Sequence, residues 1–402
     1  MTLTLADGTS FLAPADAAGR EAAIEALRGL YREWGYQRIE VPALERLDES
    51  RPRSGKSFKL VDRDGGVLAL RSDFTPALAN YVRTNHPAVA AGAAVPLRLS
   101  YDGLVWHAID PELARGREFT QVGIELVGVS NARADAELIH LARESVRLMG
   151  LTPRVEVGNP AFVSRLFDAA EVSAEARLAL ADAIDRKDTS DVLALVARYG
   201  LRGKVADALV AVPDLYGDAA VIEQARELAP DGPSAEAVER LAGVVEEFED
   251  PSELMLDFGL ARRLSYYTGV TFRVYTFDFG QPLLGGGRYD GALLPRAAGF
   301  ALGLGRLLAA ANGAARQQAA EAELVVSLDD AGARRLRLEG YRVARALVAD
   351  PNAARAEAVA MGARYLHSGG GLLDLRDGAA GGEEDGGASG DDDGDSSGGD
   401  GD

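Results

Sequence analysis

The chain of 402 residues carries a net charge of −19 and no cysteine, which excludes disulfides, thiolate metal sites and a cysteine nucleophile. No run of about 18 apolar residues offers a membrane span, and the opening MTLTLADGTS lacks the basic and apolar parts of a signal peptide, so the expected setting is cytoplasmic. Residues 377–402 hold ten acidic and no basic residues, leaving −9 on the rest, and with no basic face indicated a nucleic acid is not the expected partner.

Taken in chain order, Ile24, Leu27, Leu30 and Tyr31 fall on one helical face and predict a helix over Asp16–Gly35. The stretch YQRIEVPAL predicts a strand stopped by Pro42. Residues 58–62 and 67–70 predict a hairpin around Asp64-Gly65, and a helix opens at Thr75-Pro76. Leu97–Ile109 and Glu118–Val127 predict an antiparallel pair, Asn131–Met149 a long amphipathic helix, and Thr152–Val157 a strand. From Phe162 to Asp250 the chain turns rich in Ala, Leu, Arg and Glu at helical spacing, which predicts a separate helical insertion of four to six helices. Strands return at Leu254–Phe258 and Val270–Phe279, with Phe272, Val274 and Thr276 alternating. Gly285–Gly287 predicts a tight backbone passage, and a helix starts at Arg306. Residues 323–375 predict a small α/β piece: a strand LVVSL, helices over 334–347 and 354–362, and a strand near Tyr365. The tail 377–402 has too little apolar surface to offset ordering entropy and is expected to be disordered.

Several polar groups share strand faces. Gln121, Gly123 and Glu125 are two apart, as are Asp73 and Thr75. Arg262 precedes Tyr266-Tyr267, and Tyr289 follows three glycines. Each alone is an ordinary residue of a solvated sheet face. Together they hold what a free amino acid needs: carboxylates for an ammonium, a guanidinium for a carboxylate, and hydroxyls and an amide for a polar ring. The four histidines, His86, His107, His140 and His367, are scattered, so neither a metal site nor a cofactor is expected.

The segments GYQRIEVPALE, LRSDFT, REFTQVGIE, ARRLSYYTGVTF, GGGRYDG and GFALGLGR resemble, in order, the motifs of histidyl-tRNA synthetase and its non-catalytic relatives, over about residues 1–310. The resemblance implies an α+β fold, a class II aminoacyl-tRNA synthetase-like antiparallel sheet flanked by helices. It implies a core over 1–320 with an insertion at about 162–250, a C-terminal α/β segment over 321–376 and the acidic tail beyond. It also implies a homodimer through the first motif. Carried over by position, it places histidine against Asp73, Thr75, Gln121, Glu125, Arg262, Tyr267 and Tyr289, and a residual nucleotide site at Arg115, Arg117 and Arg306.

The departures are as telling. Where the second synthetase motif runs F-R-x-E, this chain has Trp106-His107-Ala108-Ile109. A histidine cannot reproduce the bidentate fork of a guanidinium beside a reacting phosphate. The glycine and aspartate of R-G-L-D-Y-Y are Arg263 and Ser265. Only about 50 residues stand where the synthetase has an anticodon-binding domain, and the acidic tail repels tRNA. LRSDFT has aspartate where the synthetase has glutamate, which resembles the regulatory subunit of ATP phosphoribosyltransferase. That resemblance implies no catalytic residue, a short catalytic subunit as partner in a hetero-octamer, histidine as feedback ligand, and no tRNA or membrane contact. A divergent synthetase and a histidine sensor with another partner are the alternatives.

Overall fold

The computed structural model describes residues 4–47, 56–108, 116–230, 232–260, 267–277, 279–311, 323–369 and 371–376. Ile109, Arg115, Arg262, Tyr266 and the acidic tail lie outside them. Two compact units divide the chain, Met1–Ala319 and Ala320–Asp402.

The first unit runs α1 (Pro14–Glu33), β1 (Gln37–Arg38), β2 (Leu44–Arg46), β3 (Lys59–Val61), β4 (Val67–Leu70), α2 (Thr75–Asn85), α3 (Pro87–Ala90), β5 (Leu97–Trp106), β6 (Glu118–Val127), α4 (Ala132–Arg147) and β7 (Arg154–Gly158). Six helices follow: α5 (Ala161–Ala169), α6 (Ala174–Asp185), α7 (Thr189–Arg198), α8 (Gly203–Ala211), α9 (Val221–Leu228) and α10 (Pro233–Glu246), with β8 (Tyr216–Gly217) between α8 and α9. The chain then re-enters the sheet through β9 (Leu254–Asp257), β10 (Thr271–Thr276), β11 (Phe279–Arg288) and β12 (Ala297–Gly303), followed by α11 (Leu304–Ala310).

These strands form a nine-stranded sheet in the order β1-β5-β6-β12-β11-β10-β7-β9-β8. It is antiparallel from β5 to β7, as expected, and parallel where β1 meets β5 and β9 meets β7. The strand read from YQRIEVPAL is short: only Gln37 and Arg38 pair, although the Ile39 amide still donates to Ser100 O at 2.9 Å. The three glycines 285–287 form no turn; they are ladder residues of β11.

Period-two alternation decides which face is which. Val122, Ile124 and Leu126 of β6 join Phe272, Val274, Phe300 and Leu302 in a core against Leu27 and Tyr31 of α1 and Leu138 and Ile139 of α4. Each such side chain contributes roughly 1.5–3 kcal/mol by leaving water. Leu180, Ile184, Val192, Leu209 and Leu241 from the six helices belong to this same core. The helical run is therefore not separate from the sheet: besides packing on one another, its helices share one continuous buried cluster with the strands. A polar clamp reinforces the join. Asp135, in the first turn of α4, accepts from Arg288 Nε of β11 and Arg240 Nε of α10, each at 2.8 Å. The opposite sheet face carries a second cluster: Phe74, Leu78 and Val82 packed on Leu99, Tyr101, Val105 and Tyr289.

The second unit contains β13 (Leu324–Ser327), α12 (Asp330–Leu338), β14 (Arg342–Arg345), α13 (Pro351–Ala360), β15 (Tyr365–Ser368) and β16 (Gly371–Asp374), with sheet order β14-β13-β15-β16. The helix expected over 334–347 breaks in two. Gly340 takes φ +95°, ends α12, and lets the following residues pair with β13 as a strand. Behind β13 and β15, His367 Nδ1 lies 2.9 Å from Ser327 Oγ and 3.2 Å from Asp329 Oδ2.

Candidate ligand-binding site

Gln121, Gly123 and Glu125 face away from the helical core. Register sets Glu125 beside Leu99 of β5 and Gly299 of β12, Gly123 beside Tyr101 and Ala301, and Gln121 beside Gly103 and Gly303. The row through Gly123 continues from Ala301 to Gly285 of β11 and Arg273 of β10. Between Tyr101 and Arg273 no side chain is larger than a methyl group. This bare lane floors a cavity of about 320 Å³. Two glycines here leave no room for a side chain: a Cβ on Gly123 would lie 2.5 Å from the Tyr101 hydroxyl, and one on Gly299, in the neighbouring row, would overlap Glu125 Oε2.

Glu125 is the electrostatic centre. It is 3% exposed. Thr75 Oγ1 at the start of α2 donates to its Oε1 at 2.8 Å, and the Tyr289 hydroxyl beyond β11 donates to its Oε2 at 2.6 Å. Burial pushes its carboxyl up to about 7 and the nearby Asp73 charge adds to this, while the two hydroxyls pull the other way. The site thus holds a carboxylate at considerable cost, opposite open space. Such an acceptor favours a ligand carrying N–H groups or positive charge.

The segment LRSDFT builds the adjacent wall. Arg71 donates to Val41 O at 2.6 Å, Pro42 O at 3.1 Å and Leu104 O at 2.8 Å, and burial draws its pKa down. Its guanidinium covers the Phe74 ring at 4.0 Å, and Phe74 stacks on Tyr101 with centroids 4.4 Å apart. Asp73 Oδ1 accepts from the Thr75 amide at 3.4 Å. His107 is buried; its Nε2 lies 2.9 Å from Ser72 O, and its ring meets Phe119 edge-on at 5.1 Å. At the far end Arg273 is buried across the ladder from Glu156, Nη1 to Oε2 at 3.6 Å.

Asp73, Thr75, Gln121, Glu125, Tyr267 and Tyr289, picked out from the sequence, all line this one cavity. Arg262 falls outside the described residues, as does Arg115 of the nucleotide set. Arg306 lines the cavity; Arg117 stacks its guanidinium over Phe58 at 4.7 Å and is not among the lining residues. Tyr101, Phe119 and Arg273 also line it, and Arg71 braces it, without having been singled out. Arg273 carried a signal: it alternates with the apolar Phe272 and Val274 and so faces the side of the sheet away from the core. Among the described residues no group of three His, Cys, Asp or Glu is placed to hold a metal ion, and no helix is long and apolar enough to cross a membrane.

The family model for histidyl-tRNA synthetase matches residues 8–307. An ATP phosphoribosyltransferase regulatory subunit of Thermus thermophilus is 42% identical over 305 residues, 76% of this chain and 82% of that protein. One from Deinococcus radiodurans is 40% identical over 378 residues, 93% of this chain and 91% of that protein. Among solved structures, an ATP phosphoribosyltransferase regulatory subunit/histidyl-tRNA synthetase from Bacillus halodurans matches with TM-score 0.75 and 27% identity, covering 89% of this chain and 97% of the other. A histidyl-tRNA synthetase from Nostoc shares the fold, with TM-score 0.74 at 19% identity over 94% and 96% of the two chains.

Proposed function

Because the chain belongs to the family of ATP phosphoribosyltransferase regulatory subunits, built on the fold of histidyl-tRNA synthetase, we propose that it pairs with a short catalytic subunit and conveys feedback by histidine. The family's role is regulatory and non-catalytic. In this reading the chain supports the phosphoribosyl transfer of the first step of histidine biosynthesis without contributing a reacting group. A hetero-octamer, with self-association through α1 and β1, is the assembly that accompanies it, and tRNA is not a ligand.

One observation carries the histidine assignment. The buried Glu125, held by Thr75 and Tyr289, opens on a cavity that Asp73, Gln121 and Tyr267 also line. The carboxylates receive the ammonium end, while Gln121 and the tyrosines frame the imidazole. Where the synthetase pattern places a phosphate-contacting arginine, His107 turns its Nε2 to a backbone carbonyl instead. An amino-acid pocket without that arginine suits a sensor better than an adenylating enzyme. Feedback follows if histidine binds one state of the assembly more tightly than the other.

The test is a calorimetric titration of histidine into the isolated chain and into its Glu125→Ala variant, then reconstitution with the short phosphoribosyltransferase. Binding by the first and none by the second, with histidine-sensitive activity in the complex, supports the proposal. Equal affinity of the two proteins sinks the site assignment. Histidine-dependent ATP–pyrophosphate exchange by the isolated chain would instead identify a working synthetase.

A further inference from the structure

The geometry points to His107 as a positioning residue: by holding the Ser72 carbonyl, its imidazole sets the turn that presents Asp73 and Thr75 to the ligand. This rests on the reading of the cavity as the histidine site. The end of β5 pairs with LRSDFT one residue at a time. The Trp106 amide donates to Arg71 O at 3.0 Å. The next amide, that of His107, turns the other way and donates to Arg117 O at 2.8 Å. Its side chain takes over the abandoned direction, with Nε2 at 2.9 Å from Ser72 O. A carbonyl only accepts, so Nε2 carries the proton. The imidazole therefore extends the ladder by one rung that the backbone alone cannot make.

That rung lies at a decisive place. The Ser72 carbonyl belongs to the peptide plane that leads into Asp73, so fixing it restricts the backbone of Asp73. Two residues on, Thr75 donates its amide to Asp73 Oδ1 at 3.4 Å and its hydroxyl to Glu125 Oε1 at 2.8 Å. His107, Ser72, Asp73, Thr75 and Glu125 thus form one connected chain, and all five line the cavity. The edge-on contact with Phe119 at 5.1 Å limits the ring's freedom, so the rung is held from both sides. The position where the synthetase pattern has a guanidinium for a phosphate holds a group that shapes the amino-acid pocket.

The experiment uses the full chain as wild type, His107→Ala and His107→Gln, the last because a side-chain amide can donate in place of Nε2. Amide hydrogen exchange without ligand should accelerate about tenfold at residues 73–75 in His107→Ala, leave 120–127 unchanged, and return to wild-type rates in His107→Gln. Histidine affinity should fall roughly 3- to 10-fold in the alanine variant and recover in the glutamine variant. Unchanged exchange in His107→Ala, or a glutamine variant that behaves like alanine, overturns the proposal. If the wild type takes up no histidine, the ligand assignment falls, and the exchange measurement still decides whether His107 fixes the turn.

Discussion

Glu125 in the first unit and His367 in the second are buried to similar degrees, at 3% and 1% exposure, and each is met by a hydroxyl. Each also lies against a glycine that tolerates no side chain. In the first unit the space in front of Gly299 is taken by the Glu125 carboxylate, and that carboxylate in turn lines a cavity of about 320 Å³. In the second, the space in front of Gly332 is filled by the imidazole itself: a Cβ there would sit 1.9 Å from His367 Cε1. The Ser327 hydroxyl donates to Asp329 O at 2.8 Å, and His367 Nδ1 lies beside it. Serine, histidine and aspartate meet in this cluster as they do in many hydrolases, yet Ser327 and His367 are sealed where no substrate reaches them. Residue types do not separate a site from a strut. What separates them is whether the buried polar group also borders open space, as Glu125 does.

Four changes would break or sharpen this contrast. Gly299→Ala pushes a methyl group into the Glu125 carboxylate and against the Ile124 carbonyl of β6, and histidine affinity should fall about 100-fold or more by calorimetry, with circular dichroism reporting whether the sheet still forms. Glu125→Gln acts on stability. A carboxyl raised to about 7 from its ordinary 4.5 binds its proton more tightly folded than unfolded. The wild type therefore loses stability as pH rises between those values and levels off above them. Denaturant unfolding at pH 8 should show Glu125→Gln more stable by roughly 2–4 kcal/mol, a gain that vanishes near pH 4.5. A pH-independent difference would show that burial does not govern this carboxyl. Gly332→Ala should cost about 1–3 kcal/mol in unfolding of the second unit through overpacking, with histidine affinity intact. Ser327→Ala should cost least, about 0.5–1.5 kcal/mol, again without touching affinity.

Much of the site was legible because strand spacing is visible in one dimension: Gln121, Gly123 and Glu125 announce a shared face. The sheet face of Arg273 could be read from its alternation with Phe272 and Val274, but its place in the cavity opposite Tyr101 could not, because that depends on cross-strand register through three intervening small residues. Arg71 was missed because its partners are backbone carbonyls, which leave no trace in residue identity. In the second unit, arginine, leucine and alanine over 334–347 have helical propensity throughout, and tertiary pairing with β13 overrode it after Gly340. The insertion's helices could be counted from periodicity, but their sharing of the sheet's core could not.

The position of β12 has a temporal side. It pairs with both β6 and β11, and among the described residues it is the last strand of its unit in sequence. During vectorial synthesis at roughly 5–20 residues per second, the free edge of β6 waits roughly 10–30 seconds while about 170 residues emerge. Until then β6 presents an unpaired row of amides and carbonyls to other chains, and the glycine that faces Glu125 has not yet been made. A nascent or truncated chain ending before β12 lacks Gly299 and the β6–β12 ladder, so on the proposed reading it would bind no histidine, however well its helices have formed.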